Sequence, residues 1–209
     1  MEDRRSAKRE DLKRRLIDAA EKLIEQNGLR DLKARDITSR AGCALGALYN
    51  AVQDLDQLAV LVNSRTLARL GQALHDAVPT RSTPEETMQA LARAYVNFAV
   101  GNVNLWSSIF SLRPPKGRDV PDWHQSEFAI LIQEIIKPLS EMRPDLNADQ
   151  LRIRAQTLFA SVHGVVQMSI YGKYVGTPSE LLEGEVEALV EALSRGLQSA
   201  KTAQDQSAR

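Results

Sequence analysis

Hydrophobic residues recur along most of the chain at intervals of three and four positions, which is the spacing of one face of an α-helix. The first such stripe begins at Leu12 and continues through these positions: Leu16, Ala19, Ala20, Leu23 and Ile24. Asn27 and Gly28 end this helix, because glycine readily takes the left-handed conformation that follows a helix C-terminus. No segment shows the sustained alternation of a strand, so the pattern predicts an all-α protein.

Two short helices are predicted next, over residues 34–41 and 44–51, with Gly42 between them. A pair of short helices joined through a glycine turn is typical of the helix-turn-helix motif. Glycine allows the backbone to turn where other residues are strained, and the second helix can then lie in the major groove of DNA. The sequence therefore predicts a three-helix DNA-binding domain over residues 10–56.

Residues 57–198 are predicted to form a larger helical domain. Asp54 is a suitable N-cap for its first helix, and Thr83-Pro84 combines a capping hydroxyl with proline at the first helical position. After the helix that ends at Pro79, further helices are predicted over 84–103, 105–112, a segment between a loop at 113–122 and Arg143, 148–174 and 179–198. Residues 1–9 are predicted to be a basic arm, and 199–209 a disordered tail.

The composition, 43% hydrophobic and 26% charged, is that of a globular protein. No apolar run approaches the roughly 18 residues of a membrane span, and the first residues lack a secretory apolar region. We therefore expect a cytoplasmic protein with no membrane partner. The single cysteine, Cys43, agrees with a reducing compartment and is interpreted as a small packed residue or, alternatively, a redox sensor.

The net charge of zero hides a mild asymmetry, +3 over residues 1–70 and −3 over the remainder. Basic residues crowd the first fifteen positions: Arg4, Arg5, Lys8, Arg9, Lys13, Arg14 and Arg15. Such a cluster suits a polyanion such as DNA, although acidic neighbours make a solvated helix face an equally good interpretation.

Residues 17–58 resemble the helix-turn-helix domain of the TetR/AcrR family of transcription regulators. The positions in register are Ala19, Ala20, Gly28, Ile37, Ala41, Gly42, Gly46, Leu48, Tyr49 and Leu58. Residues 159–166, FASVHGVV, resemble the Trp-His-Gly motif of one subgroup. The resemblance implies a homodimer that binds operator DNA with its N-terminal domain, and a C-terminal domain for dimerisation and for a small-molecule effector. Repression is the usual direction of control in this family.

Four positions depart from the family pattern. Thr38 stands where alanine is usual, and Cys43-Ala44 replaces Val-Ser, so the second helix lacks its capping hydroxyl. Leu55 occupies the place of a lysine that contacts a DNA phosphate. An alternative function is therefore an effector-binding helical protein whose DNA-binding domain is degenerate.

The DNA-contacting residues are predicted around the recognition helix. By resemblance Tyr49 holds a backbone phosphate, unless it packs between helices; Asn50 can pair with adenine, and the alanines can touch thymine methyl groups. Basic residues on the preceding helix either reach phosphates or are solvated. The full predicted set is Lys33, Arg35, Arg40, Ala44, Leu45, Ala47, Tyr49 and Asn50.

Aromatic residues concentrate after position 95, where they form either an effector pocket or ordinary core. The predicted pocket lining is Trp106, Phe110, Trp123, Phe128, His163 and Gln167. His163 and Gln167 share a helix face, so they are either polar anchors for the effector or, for His163, a satisfied core residue. The three histidines lie far apart in sequence, so neither a metal site nor a cofactor is expected. No catalytic motif is present, and a small helical enzyme is the weaker alternative.

Overall fold

The computed structural model describes residues 2–111, 121–172 and 175–207. These residues contain nine α-helices and no strand, which confirms the all-α prediction. The helices are α1 Glu2–Asn27, α2 Ala34–Ala41, α3 Leu45–Ala51, α4 Leu55–Ala77, α5 Pro84–Gly101, α6 Val103–Ser111, α7 Asp122–Met142, α8 Ala148–Tyr171 and α9 Leu182–Ser207. A 3₁₀ turn, Leu29–Asp31, connects α1 to α2.

The helix ends follow the local signals in the sequence. Gly28 has φ 79° after α1, and the Asp54 side chain accepts a hydrogen bond from the Gln57 backbone N–H at 2.8 Å, which caps α4. Before α5, the Thr83 hydroxyl and the Glu86 carboxylate exchange hydrogen bonds with each other's backbone N–H, at 3.2 and 2.8 Å. This is a capping box, and it fixes the first turn of α5.

Two segments differ from the sequence expectation. The predicted arm, residues 1–9, lies mainly within α1, which begins at Glu2, and α9 extends to Ser207 instead of ending near 198. In both segments the helix continues through polar residues after its apolar stripe has ended. The hydrophobic pattern therefore predicts a shorter helix than the one observed. The predicted loop 113–122 lies largely outside the described residues.

The chain divides into two compact units, and the first contains Met1–Arg69 and Asn102–Gln125. In this unit α1 packs against α2, α3 and α6. Its buried apolar core is formed by Leu16, Ile17, Ala19, Ala20, Ile24, Ile37, Ala41, Leu48, Val52, Leu58, Val62 and Leu105. The domain boundary predicted after residue 56 therefore differs from the structural division, because α6 is packed with the helix-turn-helix helices.

A buried polar pair also joins α4 to α6 in the first unit. Asn63 is fully buried, and its Nδ2 donates to the Ser108 carbonyl at 3.0 Å. The Ser108 hydroxyl donates to Asn63 Oδ1 at 2.7 Å. Each polar group of the two side chains is satisfied by the other residue, as buried polar groups must be if they are not to destabilise the fold.

The second unit contains Leu70–Gly101 and Ser126–Arg209. In it α5 packs against α8 and α9, which also pack against each other. Buried residues of this unit include Leu91, Tyr95, Val96, Leu139, Val166, Val186 and Val190. Across the described ranges, no helix is both long enough and apolar enough to cross a membrane.

Candidate functional site

The turn between α2 and α3 is built on Gly42. Its φ of 65° and ψ of 45° lie in the left-handed region, which a residue with a Cβ adopts only with strain. The Gly42 N–H donates to the Ser39 carbonyl at 3.3 Å and the Cys43 N–H to the Thr38 carbonyl at 3.0 Å. These bonds end α2 in a Schellman-type cap and direct the chain into α3.

Thr38 and Arg15 complete the support of this turn. The Thr38 side chain is buried, and its hydroxyl donates to the Ala34 and Arg35 carbonyls at 3.0 and 3.1 Å. A threonine is therefore accommodated where the family usually has alanine, because its polar atom is satisfied within its own helix. The Arg15 guanidinium donates to the Ala41 carbonyl at 2.7 Å, which connects α1 to the end of α2.

The helix α3 has one buried and one exposed face. Leu48 is fully buried in the core, which holds the helix on α1 and α2. Among its other side chains Leu45 is 43% and Tyr49 52% exposed, and Asn50 is also exposed. Tyr49 is thus not enclosed between helices. Of the two alanines predicted to contact bases, Ala44 is exposed and Ala47 half-buried.

Basic side chains are also exposed on the segment that precedes α3. Lys33, Arg35 and Arg40 are exposed and form no ion pair with any residue that the structure describes. Arg14 and Arg15, in contrast, both contact Asp11, at 2.6 and 3.2 Å. The hydrogen bond from Arg14 is the main reason that the pKa of Asp11 lies below its usual value, with the charges of both arginines adding to the effect.

Leu55 cannot replace the phosphate-binding lysine of the family pattern. Its side chain is half-buried and packs against the core of the first unit. Any phosphate contact near the start of α4 must therefore come from another group. The exposed cations on α2 are candidates, as are Lys8 and Arg9 in the early turns of α1.

The second unit contains a cavity that encloses about 620 Å³, including its open mouth. Residues from α4, α5, α7, α8 and α9 form its wall: Leu74, Met88, Leu91, Ala92, Tyr95, Leu131, Glu134, Ile135, Leu158, Phe159, Val162, Val190, Leu193 and Ser194. Apolar side chains predominate in the wall.

An aromatic cluster stands on one side of this cavity. The Tyr95 hydroxyl and His163 Nδ1 are 2.7 Å apart, and the His163 ring stacks on Phe159 with centroids separated by 5.6 Å at 23°. Tyr95 meets Phe159 edge to face at 5.5 Å. Burial lowers the pKa of His163 below its ordinary value, which favours the neutral imidazole in the folded protein. His163 thus orients a wall residue of the cavity, Tyr95.

The six residues predicted to line the effector pocket do not form one site. Trp106 is buried in the first unit, where it contacts Phe110 edge to face at 5.5 Å. Trp123, at the start of α7, is 47% exposed in the same unit. In the second unit Phe128 is half-buried but outside the cavity wall, and Gln167 is exposed.

Sequence reasoning missed two polar residues of the cavity wall, Glu134 and Ser194. Both interrupt an apolar helical stripe: Glu134 stands beside Leu131 and Ile135 in α7, and Ser194 follows Val190 by one turn in α9. A polar residue at a core-facing position was therefore the available signal. Among the residues that the structure describes, no three histidine, cysteine, aspartate or glutamate side chains are grouped as metal ligands.

Comparison with protein families matches both halves of the chain. Residues 16–51 match the model described as bacterial regulatory proteins of the tetR family, and residues 88–193 match the tetracyclin repressor-like C-terminal domain. The chain belongs to the TetR family. This TetR-family protein is accordingly a DNA-binding transcription regulator and not an enzyme.

Individual proteins are similar to part or most of this chain. The uncharacterized HTH-type transcriptional regulator YobS of Bacillus subtilis (strain 168) is 28% identical over 87 residues, which cover 42% of this chain and only 45% of YobS. A protein of unknown function from Rhodococcus sp. RHA1 is 24% identical with a TM-score of 0.73, and 90% of this chain and 95% of that one are covered.

Two further solved structures share the fold of this TetR-family protein. FadR from Bacillus subtilis, solved with stearoyl-CoA, has a TM-score of 0.66 at 16% identity and covers 84% of this chain and 96% of its own. RolR, solved with resorcinol, has a TM-score of 0.65 at 20% identity and covers 93% and 96%. At these identities the likeness demonstrates the fold alone.

Proposed function

We propose that this protein is a homodimeric repressor that binds operator DNA through α3 and is released when a small, largely apolar effector enters the cavity. The observation that carries the proposal is the exposed face of α3, beside a glycine turn and basic side chains without ion-pair partners in the described structure. Such a face, on a helix anchored by Leu48, has the form of a major-groove reader.

Each residue of this face has a physical role in the proposal. Asn50 pairs with adenine through its amide, and the exposed Tyr49 hydroxyl contacts a phosphate. Leu45, Ala44 and Ala47 provide apolar contacts to thymine methyl groups, while the cations Lys33, Arg35 and Arg40 lie near phosphates. Because few polar groups face the bases, the shape of the DNA contributes part of the specificity.

The dimer in this proposal forms through α8 and α9. On α8, Ile153, Met168 and Tyr171 are large side chains that are 47–57% exposed in the single chain. On α9, exposed small residues recur every fourth position: Gly184, Ala188, Ala192 and Gly196. Small residues allow helices to approach closely, so two copies can pack as a four-helix bundle around a two-fold axis.

Release by the effector requires that the cavity prefer one conformation of the dimer. Two recognition helices bind successive major grooves only when they are about 34–36 Å apart. An effector that binds better at another separation shifts the population away from DNA, by no more than its difference in affinity for the two states. FadR and RolR have the same fold and were solved with bound ligands, which supports the proposal that the cavity of this protein binds an effector.

The test of the DNA-binding role is a titration of the purified protein with its own upstream DNA at several salt concentrations. We expect specific binding with a steep salt dependence, and a loss of roughly tenfold in affinity for Asn50→Ala, because one bidentate base contact is worth about 1–3 kcal/mol. Asn97→Ala is the matched control, since Asn97 is an exposed amide on α5. Tyr49→Phe removes only the hydroxyl and tests the phosphate contact.

The opposite outcome has a definite meaning. Weak binding that is equal for all sequences and unaffected by Asn50→Ala would favour a degenerate DNA-binding domain, as the substitution of Leu55 for lysine suggests.

Oligomeric state is measured separately by light scattering: Ala188→Arg should yield monomers, while Ala129→Arg on α7 should leave the dimer intact. A wild-type monomer at micromolar concentration would exclude the dimer.

A further inference from the structure

The cavity of the second unit has an almost wholly apolar surface. Of the fourteen wall residues that the structure describes, eleven carry no nitrogen or oxygen in the side chain. The other three, Tyr95, Glu134 and Ser194, add almost nothing polar to that surface. The wall is therefore hydrocarbon even where polar residues contribute to it, and the reason lies in where their polar atoms are placed.

Tyr95 directs its hydroxyl to another residue of the second unit. The hydroxyl oxygen is 2.7 Å from Nδ1 of His163, which is not a wall residue. Tyr95 is buried, and its ring packs edge to face on Phe159 at 5.5 Å. Because the hydroxyl is engaged with an imidazole inside the fold, it has little to gain from a ligand, and the ring carbons line the cavity.

Glu134 keeps its charge on the solvent side. Oε1 accepts a hydrogen bond from Lys137 Nζ at 2.6 Å, and the Lys137 side chain is 61% exposed. The ion pair therefore lies toward solvent while the methylene groups of Glu134 contribute carbon to the wall, as the stems of charged side chains commonly do. Ser194 is buried and adds almost no polar surface to the cavity.

A wall of this kind selects its ligand by what the ligand must leave behind in water. A hydroxyl or an ion that enters the cavity meets almost no polar surface among the described wall residues. Loss of hydration without replacement lowers the affinity about tenfold or more for a hydroxyl, and by a larger factor for an ion. A hydrocarbon has no such hydration to lose, and its affinity increases with the apolar surface that leaves water.

We infer that the cavity binds an uncharged hydrocarbon, aliphatic or aromatic, that presents no hydrogen-bonding group to the wall and is selected by its shape. The inference rests on the proposed function, because it names the ligand class of the proposed effector cavity. It excludes acids, amines and alcohols whose polar group must enter the cavity, since each would lose hydration there without replacement.

The test compares four probes of similar size that differ in one substituent of the benzene ring: ethylbenzene, benzyl alcohol, benzylammonium and benzoate. Isothermal titration of the full-length protein at neutral pH should show ethylbenzene binding at least about tenfold more tightly than benzyl alcohol, and the two ions binding most weakly. A wall that offered a partner to the hydroxyl would instead bring the affinity of benzyl alcohol close to that of ethylbenzene.

Ala92→Phe tests whether the binding takes place in the cavity. Ala92 is a buried wall residue, so a phenyl group at this position would occupy the space of the ligand and ethylbenzene should no longer bind. Ala129→Phe is the matched control, because Ala129 is exposed on α7 and outside the wall, and it should bind ethylbenzene as the wild type does.

Circular dichroism establishes that the Ala92 variant is folded. If Ala92→Phe does not fold, the smaller change Ala92→Val should weaken ethylbenzene binding in the same direction, because it fills part of the same space. Unchanged ethylbenzene affinity in a folded Ala92 variant would place the binding elsewhere and overturn the inference.

Two further variants test whether polar atoms of the wall take part in binding. Tyr95→Phe removes the hydroxyl, and Glu134→Gln removes the charge. In each variant the ratio of the ethylbenzene affinity to the benzyl alcohol affinity should stay within about twofold of the wild-type ratio, whatever the common level of the two affinities. A larger change would mean that the altered group contacts the ligand, which overturns the inference. Glu134→Gln provides this test even if Tyr95→Phe weakens the fold.

The outcomes separate the inference from the proposed function. If benzyl alcohol or either ion binds as tightly as ethylbenzene, the ligand class is overturned while the cavity remains an effector site. If none of the four probes binds, the inference is overturned as well. If ethylbenzene binds but does not release the protein from its operator DNA at saturation, the ligand class stands and the proposed release by an effector fails.

Discussion

The buried pair Asn63–Ser108 offers a quantitative test of how α4 is held to α6. Ser108→Ala removes one hydrogen bond and leaves Asn63 Oδ1 without its 2.7 Å partner inside the protein. Orphaning a buried acceptor costs about 1–3 kcal/mol, so the free energy of unfolding should fall by that amount. Asn63→Leu preserves much of the volume but removes both bonds, and we expect a loss of about 2–4 kcal/mol.

The double variant discriminates between this reasoning and simple loss of packing. When Asn63→Leu is combined with Ser108→Ala, no side-chain polar atom of the pair is left unsatisfied, so the cost should be well below the sum of the single costs. Urea titrations at one fixed protein concentration measure it, because the stability of a dimer depends on concentration. Additivity within about 0.5 kcal/mol would refute the reasoning. Asn97→Leu, at an exposed amide, is the control and should change stability by less than about 0.5 kcal/mol.

Three further predictions follow from caps, backbone and burial. Asn147 accepts from the Gln150 N–H at 3.0 Å in a capping box, so Asn147→Ala should destabilise by about 1 kcal/mol in the same titration, and an unshifted midpoint contradicts it. Gly42→Ala should lower the free energy of unfolding by about 1–2 kcal/mol. The cause is backbone strain at φ 65°, because no atom lies within 4 Å of the added Cβ. Gly46→Ala, within a helix, should leave the stability unchanged or raise it. Burial lowers the pKa of His163 in the folded protein below 6.5, the ordinary pKa of histidine. The contribution of His163 to the free energy of unfolding is therefore complete above pH 6.5 and declines as the pH falls below that value. His163→Phe should remove this pH dependence from unfolding curves measured at several pH values.

The end of α1 and the starts of α4 and α5 could be predicted because their signals are local, whereas the start of α1 and the end of α9 could not. Gly28, Asp54 and Thr83 act on backbone groups within one turn of themselves, so a single sequence contains the whole interaction. The helix-turn-helix could also be predicted from the sequence, because Gly42 and the buried positions around it lie within a few dozen residues of one another. Its exposed face followed from the period of α3, in which Leu48 is inward and Tyr49 and Asn50 are outward.

The cavity could not be predicted in the same way, because its wall joins five helices that are distant in sequence. Trp106 and Phe110 were reasonable candidates by residue type, but α6 belongs to the other unit, and periodicity does not reveal which neighbour an apolar stripe will meet. Glu134 and Ser194 were overlooked because a polar residue in an apolar stripe is usually interpreted as a helix edge. Tyr95 lines the cavity although only its aromatic class had been noted.

The inclusion of α6 in the first unit limits how this protein can be divided for engineering. A chimeric regulator made by exchanging residues 1–56 would separate Leu16 and Ile24 from Leu105, with which they share a core, and Glu25 from Asn104, whose amide donates to its carbonyl at 2.9 Å. The DNA-reading portion is therefore discontinuous along the gene, and a functional graft must transfer Val103–Ser111 together with the N-terminal helices. A single crossover is sufficient to exchange domains that are consecutive in sequence. In this protein it would produce a DNA-binding unit that lacks part of its hydrophobic core.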